Sequence, residues 1–337
     1  MYFPNTIWTR LFLAVAFVQS LLALGLEGYV FTTVENDMEP EAVQGINGHT
    51  VPMYFSLFIF AFVFELVVVY DALRLNSMIQ LVGLCIYNFL LLMYAAVQPL
   101  HVKKSLDALS GSFILGVKPM LSPDHHTWER IHPALIVVIL VQAVATAAMS
   151  FLTYKLHFEF AWVVYKVLHA DLQMRRRLLN FQIYMALIKF DFFFLLGFLV
   201  QIITLIVHPQ DDPEFGLSIA GIFIALAFMF LAIYFATLEN KPGSIAIIGA
   251  YLGTVAYLCY KLSVLYNETN YLLIVFATLT FAMMLCTIVM AIVCITNYGK
   301  GLRTYTTPQQ ELPEEDIYLR ATHNYSYASQ SPRMDLD

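Results

Sequence analysis

The sequence predicts an all-α fold, a polytopic bundle of about eight transmembrane helices. Of the 337 residues, 60% are hydrophobic and 12% are charged, whereas soluble proteins contain about 45–50% and about 25%. The hydrophobic residues form eight runs that reach or approach the roughly 20 residues needed to cross a bilayer core about 30 Å thick. The predicted spans are residues 11–31, 53–70, 78–97, 134–154, 187–207, 216–238, 244–265 and 271–295.

The start of the chain has one feature of a signal peptide, because Arg10 precedes an apolar run. That run is longer than a typical signal-peptide core, so we predict an uncleaved first span. Prolines mark several later boundaries: Pro52 and Pro133 precede spans two and four, and Pro99 follows span three. Because proline breaks a helix interior, we expect helix three to end near Pro99 and helix four to begin near Pro133.

The distribution of basic residues predicts that both termini are cytosolic. With the N-terminus in the cytosol, the cytosolic segments contain 12 Lys and Arg residues and the luminal loops contain 4. Cytosolic loops of membrane proteins retain an excess of such residues.

Residues 155–186, between spans four and five, are predicted to form a cytosolic amphipathic helix. Apolar residues recur along this segment at helical spacing, which places them on one face. They are Phe158, Trp162, Tyr165, Leu168, Leu172 and Leu179. Arg175, Arg176 and Arg177 would lie against anionic lipids of the cytosolic leaflet, each worth about 1 kcal/mol there. The alternative is that these arginines only fix the orientation of the neighbouring spans.

The polar composition at the end of the chain predicts a region outside the membrane. We expect a transmembrane domain over residues 1–297 and a disordered cytosolic tail over residues 298–337. The tail has an acidic run followed by a stretch rich in Tyr, Ser and Asn, and so few apolar residues cannot offset the entropy lost on ordering. Such a tail is a candidate binding segment for sorting machinery.

Charged residues within the spans are the first candidates for function, because charge in hydrocarbon is costly. They are Glu27, Glu65, Lys189, Asp191 and Lys261. Their positions place Glu65, Lys189 and Asp191 in the cytosolic third of the membrane. We therefore predict an ion pair between Glu65 and Lys189, and a second pair between Glu27 and Lys261 near the luminal side.

Amides and small residues within the spans predict helix packing. Gln19, Asn88, Gln142 and Gln201 lie nearer mid-depth, where amides usually form hydrogen bonds between helices. Gly249 and Gly253 form a GxxxG motif in span seven, which favours close approach of a neighbouring helix.

A luminal cluster of polar residues is a candidate metal site. It contains His125, His126, Glu129 and His132, and a helix would bring His125, Glu129 and His132 onto one face. Imidazole and carboxylate groups at this spacing can bind Zn²⁺. The alternatives are an interfacial polar loop and a set of histidines that become protonated in a mildly acidic lumen and so sense pH.

Four stretches in the middle of the chain resemble a known family. They are residues 155–166 (KLHFEFAWVVYK), 170–176 (ADLQMRR), 182–184 (QIY) and 189–198 (KFDFFFLLGF). They resemble an uncharacterised family of fungal Golgi apparatus membrane proteins. The resemblance implies a multi-pass protein of the Golgi membrane, and it implies no activity, cofactor or catalytic residue.

These observations rank three candidate functions. The net charge of −6 argues against a nucleic-acid partner, and the expected partner is the lipid bilayer. No pattern assigns catalytic residues or a cofactor, so we expect a non-enzymatic role in membrane organisation or trafficking. The first alternative is a transporter or channel for a small solute or ion that uses Glu65, Lys189 and Asp191. The second is a luminal metal-dependent enzyme.

Overall fold

The computed structural model describes residues 6–37, 50–110, 113–114, 118–119, 127–168, 172–205, 213–265 and 271–300. The described residues form eight helices, each with an apolar stretch long enough to cross a membrane. The helices are α1 (Ile7–Asp37), α2 (Thr50–Arg74), α3 (Met78–Ser110), α4 (Thr127–Leu168), α5 (Leu172–Leu205), α6 (Pro213–Thr237), α7 (Lys241–Leu265) and α8 (Tyr271–Asn297). Between α3 and α4, strands β1 (Phe113–Ile114) and β2 (Lys118–Pro119) pair in antiparallel fashion. The predicted fold class is confirmed.

The helices pack as two rings of four. In the first ring, α1 and α3 each pack against both α2 and α4. In the second ring, α5 and α7 each pack against both α6 and α8, which repeats the order of the first. α5 also packs against α2 and α3 and so joins the rings. At this junction Phe193 of α5 stacks on Phe60 of α2, with ring centroids 5.4 Å apart.

Two tight turns connect antiparallel neighbours, one in each ring. Asn76 follows α2 with a φ of 47°, and Glu239 follows α6 with a φ of 53°. In both turns the next residue donates a backbone hydrogen bond across five residues to the last turn of the helix, from Ser77 to Ala72 and from Asn240 to Phe235. This left-handed ending satisfies carbonyl groups that the helix itself leaves unpaired.

The expected boundaries at two prolines are wrong. α3 continues through Pro99 to Ser110, and α4 begins before Pro133. An internal proline removes one helix hydrogen bond and costs about 3 kcal/mol. The residues beyond it recover apolar burial, because Val102 and Leu106 of α3 pack in one buried cluster with Ile131 of α4.

The predicted amphipathic segment is helical but does not form a helix of its own. Residues 155–168 continue α4, which has 42 residues and is therefore about 63 Å long. From Leu172 onward the segment is the first half of α5, where Phe181 and Tyr184 are buried against α6, α7 and α8. Extending an existing helix is more favourable than nucleating a new one, and no Gly or Pro separates span four from residues 155–168.

Close helix approach occurs at glycines other than those of the GxxxG motif. A Cβ at Gly83 of α3 would lie 2.6 Å from the Phe190 ring of α5, and one at Gly197 of α5 would lie 2.8 Å from the Phe276 ring of α8. At Gly249 and Gly253 a Cβ would meet no described atom within 4 Å. The prediction of packing at the GxxxG motif is therefore wrong for the part of the chain that the structure describes.

Candidate functional site

Lys189 forms an ion pair with Asp71, near the C-terminal end of α2. The predicted pair with Glu65 is therefore wrong. Asp71 lies six residues after Glu65, or about 9 Å further along the helix axis. It is also partly exposed, so the pair forms where both charged groups retain some hydration.

Glu65 instead belongs to a buried network of amides at the centre of the first ring. Its Oε1 accepts a hydrogen bond of 2.8 Å from Asn88 Nδ2, and its Oε2 accepts one of 3.4 Å from Gln19 Nε2. Gln19 Nε2 also lies 2.7 Å from Asn88 Oδ1 and 3.0 Å from Gln142 Oε1. Gln142 Nε2 donates to the same Asn88 oxygen at 3.1 Å.

This amide network ties together all four helices of the first ring, since Gln19, Glu65, Asn88 and Gln142 lie on α1, α2, α3 and α4. None of the four side chains is more than 2% exposed. The prediction that Gln19, Asn88 and Gln142 form hydrogen bonds between helices is confirmed. Gln201 of α5 behaves differently, because neither atom of its buried amide has a hydrogen-bond partner among the described residues.

The second predicted ion pair is also wrong. Glu27 of α1 accepts a hydrogen bond of 3.0 Å from Gln98 Nε2 of α3. Lys261 lies on α7, in the other ring, with its Nζ 5.9 Å from the centre of the Tyr257 ring. Glu27 thus has an amide partner, as Glu65 does.

Asp191 of α5 is separated from both of the residues with which the sequence grouped it. Residues two apart on a helix point about 200° apart, so Lys189 faces α2 while Asp191 faces α7 and α8. The hydroxyl groups of Tyr251 and Thr287 come close to its carboxylate. The side chain is only 2% exposed, and neither oxygen has a partner at hydrogen-bond distance among the described residues.

The depth of Asp191 also differs from the prediction. Tyr251 and Thr287 lie near the middle of α7 and α8, so the carboxylate is at mid-depth in the second ring. The sequence placed it in the cytosolic third because the predicted fifth span began at residue 187, whereas α5 already begins at Leu172.

A cavity of about 240 Å³ opens beside Asp191 within the second ring. Its walls come from α5, α6, α7 and α8, and apart from Asp191 they are mainly aliphatic and aromatic. Tyr251, Thr254 and Tyr257 form the α7 wall at intervals of three residues. This polar and aromatic face in an otherwise apolar span is the sequence signal that could have indicated the site.

A second cavity, of about 380 Å³, lies where the two rings meet. It is lined by apolar residues of α2, α3, α5 and α8, together with Tyr87, Tyr94 and His101. No carboxylate is among the described residues that line it. Its chemistry suits an apolar chain and offers no charged group to select a solute.

The candidate metal site falls largely outside the described residues, which include neither His125 nor His126. Glu129 and His132 lie in the first turns of α4, and the His132 ring is 4.9 Å from the Trp128 ring. Among the described residues no group of three or more His, Cys, Asp or Glu side chains could hold a metal ion. The luminal metal site stays a prediction.

The arginine cluster lies at the start of α5. Arg175 and Arg176 are exposed, while Arg177 donates a hydrogen bond of 3.1 Å to the backbone oxygen of Lys300, just beyond α8. Glu239, in the turn after α6, accepts a hydrogen bond of 2.8 Å from the backbone of Gly299. The start of the predicted tail is thus held between α5 and the α6–α7 turn; residues 301–337 lie outside the described residues.

Sequence comparison relates most of the chain to a curated protein. The chain is 27% identical over 323 residues to the UPF0658 Golgi apparatus membrane protein of Schizosaccharomyces pombe, a match that covers 87% of this chain and 88% of the relative. The predicted resemblance is confirmed. No protein-family model matches the chain, and no solved structure matches it.

Proposed function

We propose that the protein is a carrier of the Golgi membrane that binds a small solute at Asp191. The observation behind this proposal is a buried carboxylate without a hydrogen-bond partner that lines a cavity at mid-depth in the second ring. Intramembrane ionisable residues are rare and usually serve a substrate or ion pathway. Golgi residence is supported by the similarity to the fission-yeast Golgi membrane protein.

Energetics favour a ligand-binding role for Asp191 over a purely structural one. A charged carboxylate at the centre of a membrane helix costs about 2.5–3.5 kcal/mol on insertion scales. Glu65 and Glu27 offset this cost through amide hydrogen bonds, and Lys189 offsets it through Asp71. Asp191 has the hydroxyl groups of Tyr251 and Thr287 nearby, but neither of its oxygens has a partner at hydrogen-bond distance among the described residues, so a bound solute is the group that would complete its interactions.

The carrier hypothesis from the sequence used three residues, and we reduce these to one. Glu65 is held in its amide network and Lys189 in its ion pair, and neither lines the cavity beside Asp191. We therefore assign solute binding to Asp191 and leave Glu65 and Lys189 as packing residues. Both termini are proposed to be cytosolic, on the basis of the distribution of basic residues.

The experiment is a release assay with the full-length protein in sealed vesicles. Vesicles are loaded with a mixture of choline, alkylamines, polyamines, amino acids, nucleosides and hexoses, and the released compounds are measured by mass spectrometry. At least one compound should leave faster than from vesicles that contain Asp191→Asn. Glu35→Gln removes an exposed carboxylate of α1 and should behave like the wild type. Equal release by wild type and Asp191→Asn for every compound would overturn the proposal.

A second candidate function is membrane organisation through the arginine cluster, as the sequence suggested. It is supported by the exposure of Arg175 and Arg176 at the predicted cytosolic end of α5. Two such cations contribute about 2 kcal/mol towards an anionic leaflet before screening by salt.

The test of this second candidate compares wild type with the double variant Arg175→Gln, Arg176→Gln, which retains the Arg177 contact to Lys300. Wild type should enrich phosphatidylserine among the lipids that co-purify in nanodiscs, and the enrichment should fall with added salt. Equal enrichment by the variant would show that the arginines only set orientation.

A further inference from the structure

We infer that the ligand of the Asp191 cavity is a hydrophobic monovalent amine that enters from the bilayer between α6 and α7. This inference rests on the proposed function and names the class of solute. It draws on the hydrogen-bonding character of the cavity wall, its aromatic content and its exposure to lipid.

Three polar side chains at the cavity, Asp191, Thr254 and Thr287, offer hydrogen-bond acceptors, while the hydroxyl groups of Tyr251 and Tyr257 can also donate. The Asp191 carboxylate can only accept hydrogen bonds when it is ionised. The hydroxyl of Thr254 on the wall donates to the backbone oxygen of Ala250 at 3.1 Å, and that of Thr287 beside Asp191 donates to Met283 at 3.1 Å. Both oxygens keep lone pairs that can accept. A ligand that meets these three acceptors must donate hydrogen bonds. An ammonium group offers several donors, together with a positive charge that complements the ionised Asp191 carboxylate.

The remaining wall suits the body of such a ligand. Tyr251 lines the cavity together with Phe192 and Phe228, and aromatic faces attract cations within about 6 Å. Tyr257, on the same wall, already has the Lys261 ammonium 5.9 Å from its ring centre. The volume, about 240 Å³, is below the roughly 300–1,000 Å³ of pockets that enclose drug-sized molecules. It therefore holds a small amine or the amine end of a longer chain.

The cavity wall reaches the lipid-facing surface of the bundle. Ile224 of α6 lines it and is 53% exposed. α6 and α7 are the helices least covered by protein, each with 17% of its apolar window buried, against 33–61% for the other spans. A ligand that reaches the cavity by this route crosses hydrocarbon, which selects an apolar body.

The test measures binding of three probes with the same chain length to the full-length protein in nanodiscs. Octylammonium, octanol and octanoate are titrated by calorimetry, and the heats from empty nanodiscs are subtracted. We expect saturable binding of octylammonium only, weakened at least tenfold in Asp191→Asn. Ala225→Phe fills the cavity from α6 and leaves Asp191 unchanged, so it should weaken binding to a similar extent. Gln201→Met alters a buried side chain outside the cavity lining and should leave binding unchanged.

The outcomes separate the inference from the proposed function. If octanol or octanoate binds as tightly as octylammonium, or if neither Asp191→Asn nor Ala225→Phe weakens the amine, the inference is wrong. If octylammonium does not bind while a water-soluble compound shows Asp191-dependent release from vesicles, the inference also fails and the carrier proposal stands. Absence of both Asp191-dependent binding and Asp191-dependent release overturns both. Should Asp191→Asn not fold, Ala225→Phe alone decides the binding result.

Discussion

The amide network of the first ring gives a quantitative prediction for Asn88→Leu, which keeps the approximate size of the side chain and removes its hydrogen bonds. The bond from Asn88 to Glu65, 2.8 Å long, is worth about 1.5–3 kcal/mol when the Glu65 carboxylate is ionised. The two bonds that Asn88 accepts from Gln19 and Gln142 contribute about 0.6 kcal/mol each in a membrane bundle. We expect a total loss of about 3–4 kcal/mol in the free energy of unfolding.

The assay for Asn88→Leu is equilibrium unfolding in mixed micelles with an increasing fraction of sodium dodecyl sulfate, followed by circular dichroism. Gln201→Met is the matched control, because the Gln201 amide is equally buried and has no hydrogen-bond partner among the described residues. It should leave stability unchanged or raise it, since no bond is lost and a buried polar group is removed. A loss below about 0.5 kcal/mol for Asn88→Leu, or an equal loss for the control, would refute this reasoning.

Three further predictions follow from the packing and the topology. In a double-mutant cycle of unfolding free energies, the effects of Lys189→Met and Asp71→Asn should be non-additive, with a coupling of at least about 0.5 kcal/mol. The effects of Lys189→Met and Glu65→Gln should be additive. The opposite pattern would show that Lys189 pairs with Glu65 and not with Asp71. Gly83→Ala should lower the thermal midpoint by overpacking, at a cost of about 1–3 kcal/mol, whereas Gly249→Ala should not, and equal effects would contradict the close approach of α3 and α5. In sealed microsomes, external protease should remove tags at both termini, and protection of either tag would show that the orientation is wrong.

Hydropathy predicted the number and approximate position of the spans because the free energy of transferring apolar residues from water into the bilayer depends only on local composition. The boundaries were less accurate for a physical reason. α3 continues past Pro99 because tertiary packing recovers what the proline costs, and local sequence contains no information about that packing. The sequence of the first half of α5 is typical of an interfacial helix because its arginines and apolar residues alternate at helical spacing. Only its burial against α6, α7 and α8 distinguishes a bundle helix from a surface helix.

The side-chain partners were harder to predict than the spans. The spacing of Lys189 and Asp191 on one helix already implied that they face opposite directions. It could not indicate that α2 lies on one side and α7 and α8 on the other, because helix neighbours are set by the arrangement of the whole bundle. Glu65 was assigned a basic partner on the assumption that charge is neutralised by charge, whereas the structure surrounds it with amides.

α5 is the wall shared by the two rings, which has a mechanical consequence. Lys189 engages Asp71 on the side of the first ring, and Asp191, two residues later, borders the cavity on the side of the second. Because the backbone between them is one rigid helix, a rotation of α5 that turned Asp191 out of the cavity would also draw Lys189 away from Asp71. The ion pair therefore adds to the resistance that the packing of α5 against its neighbours offers to such a rotation.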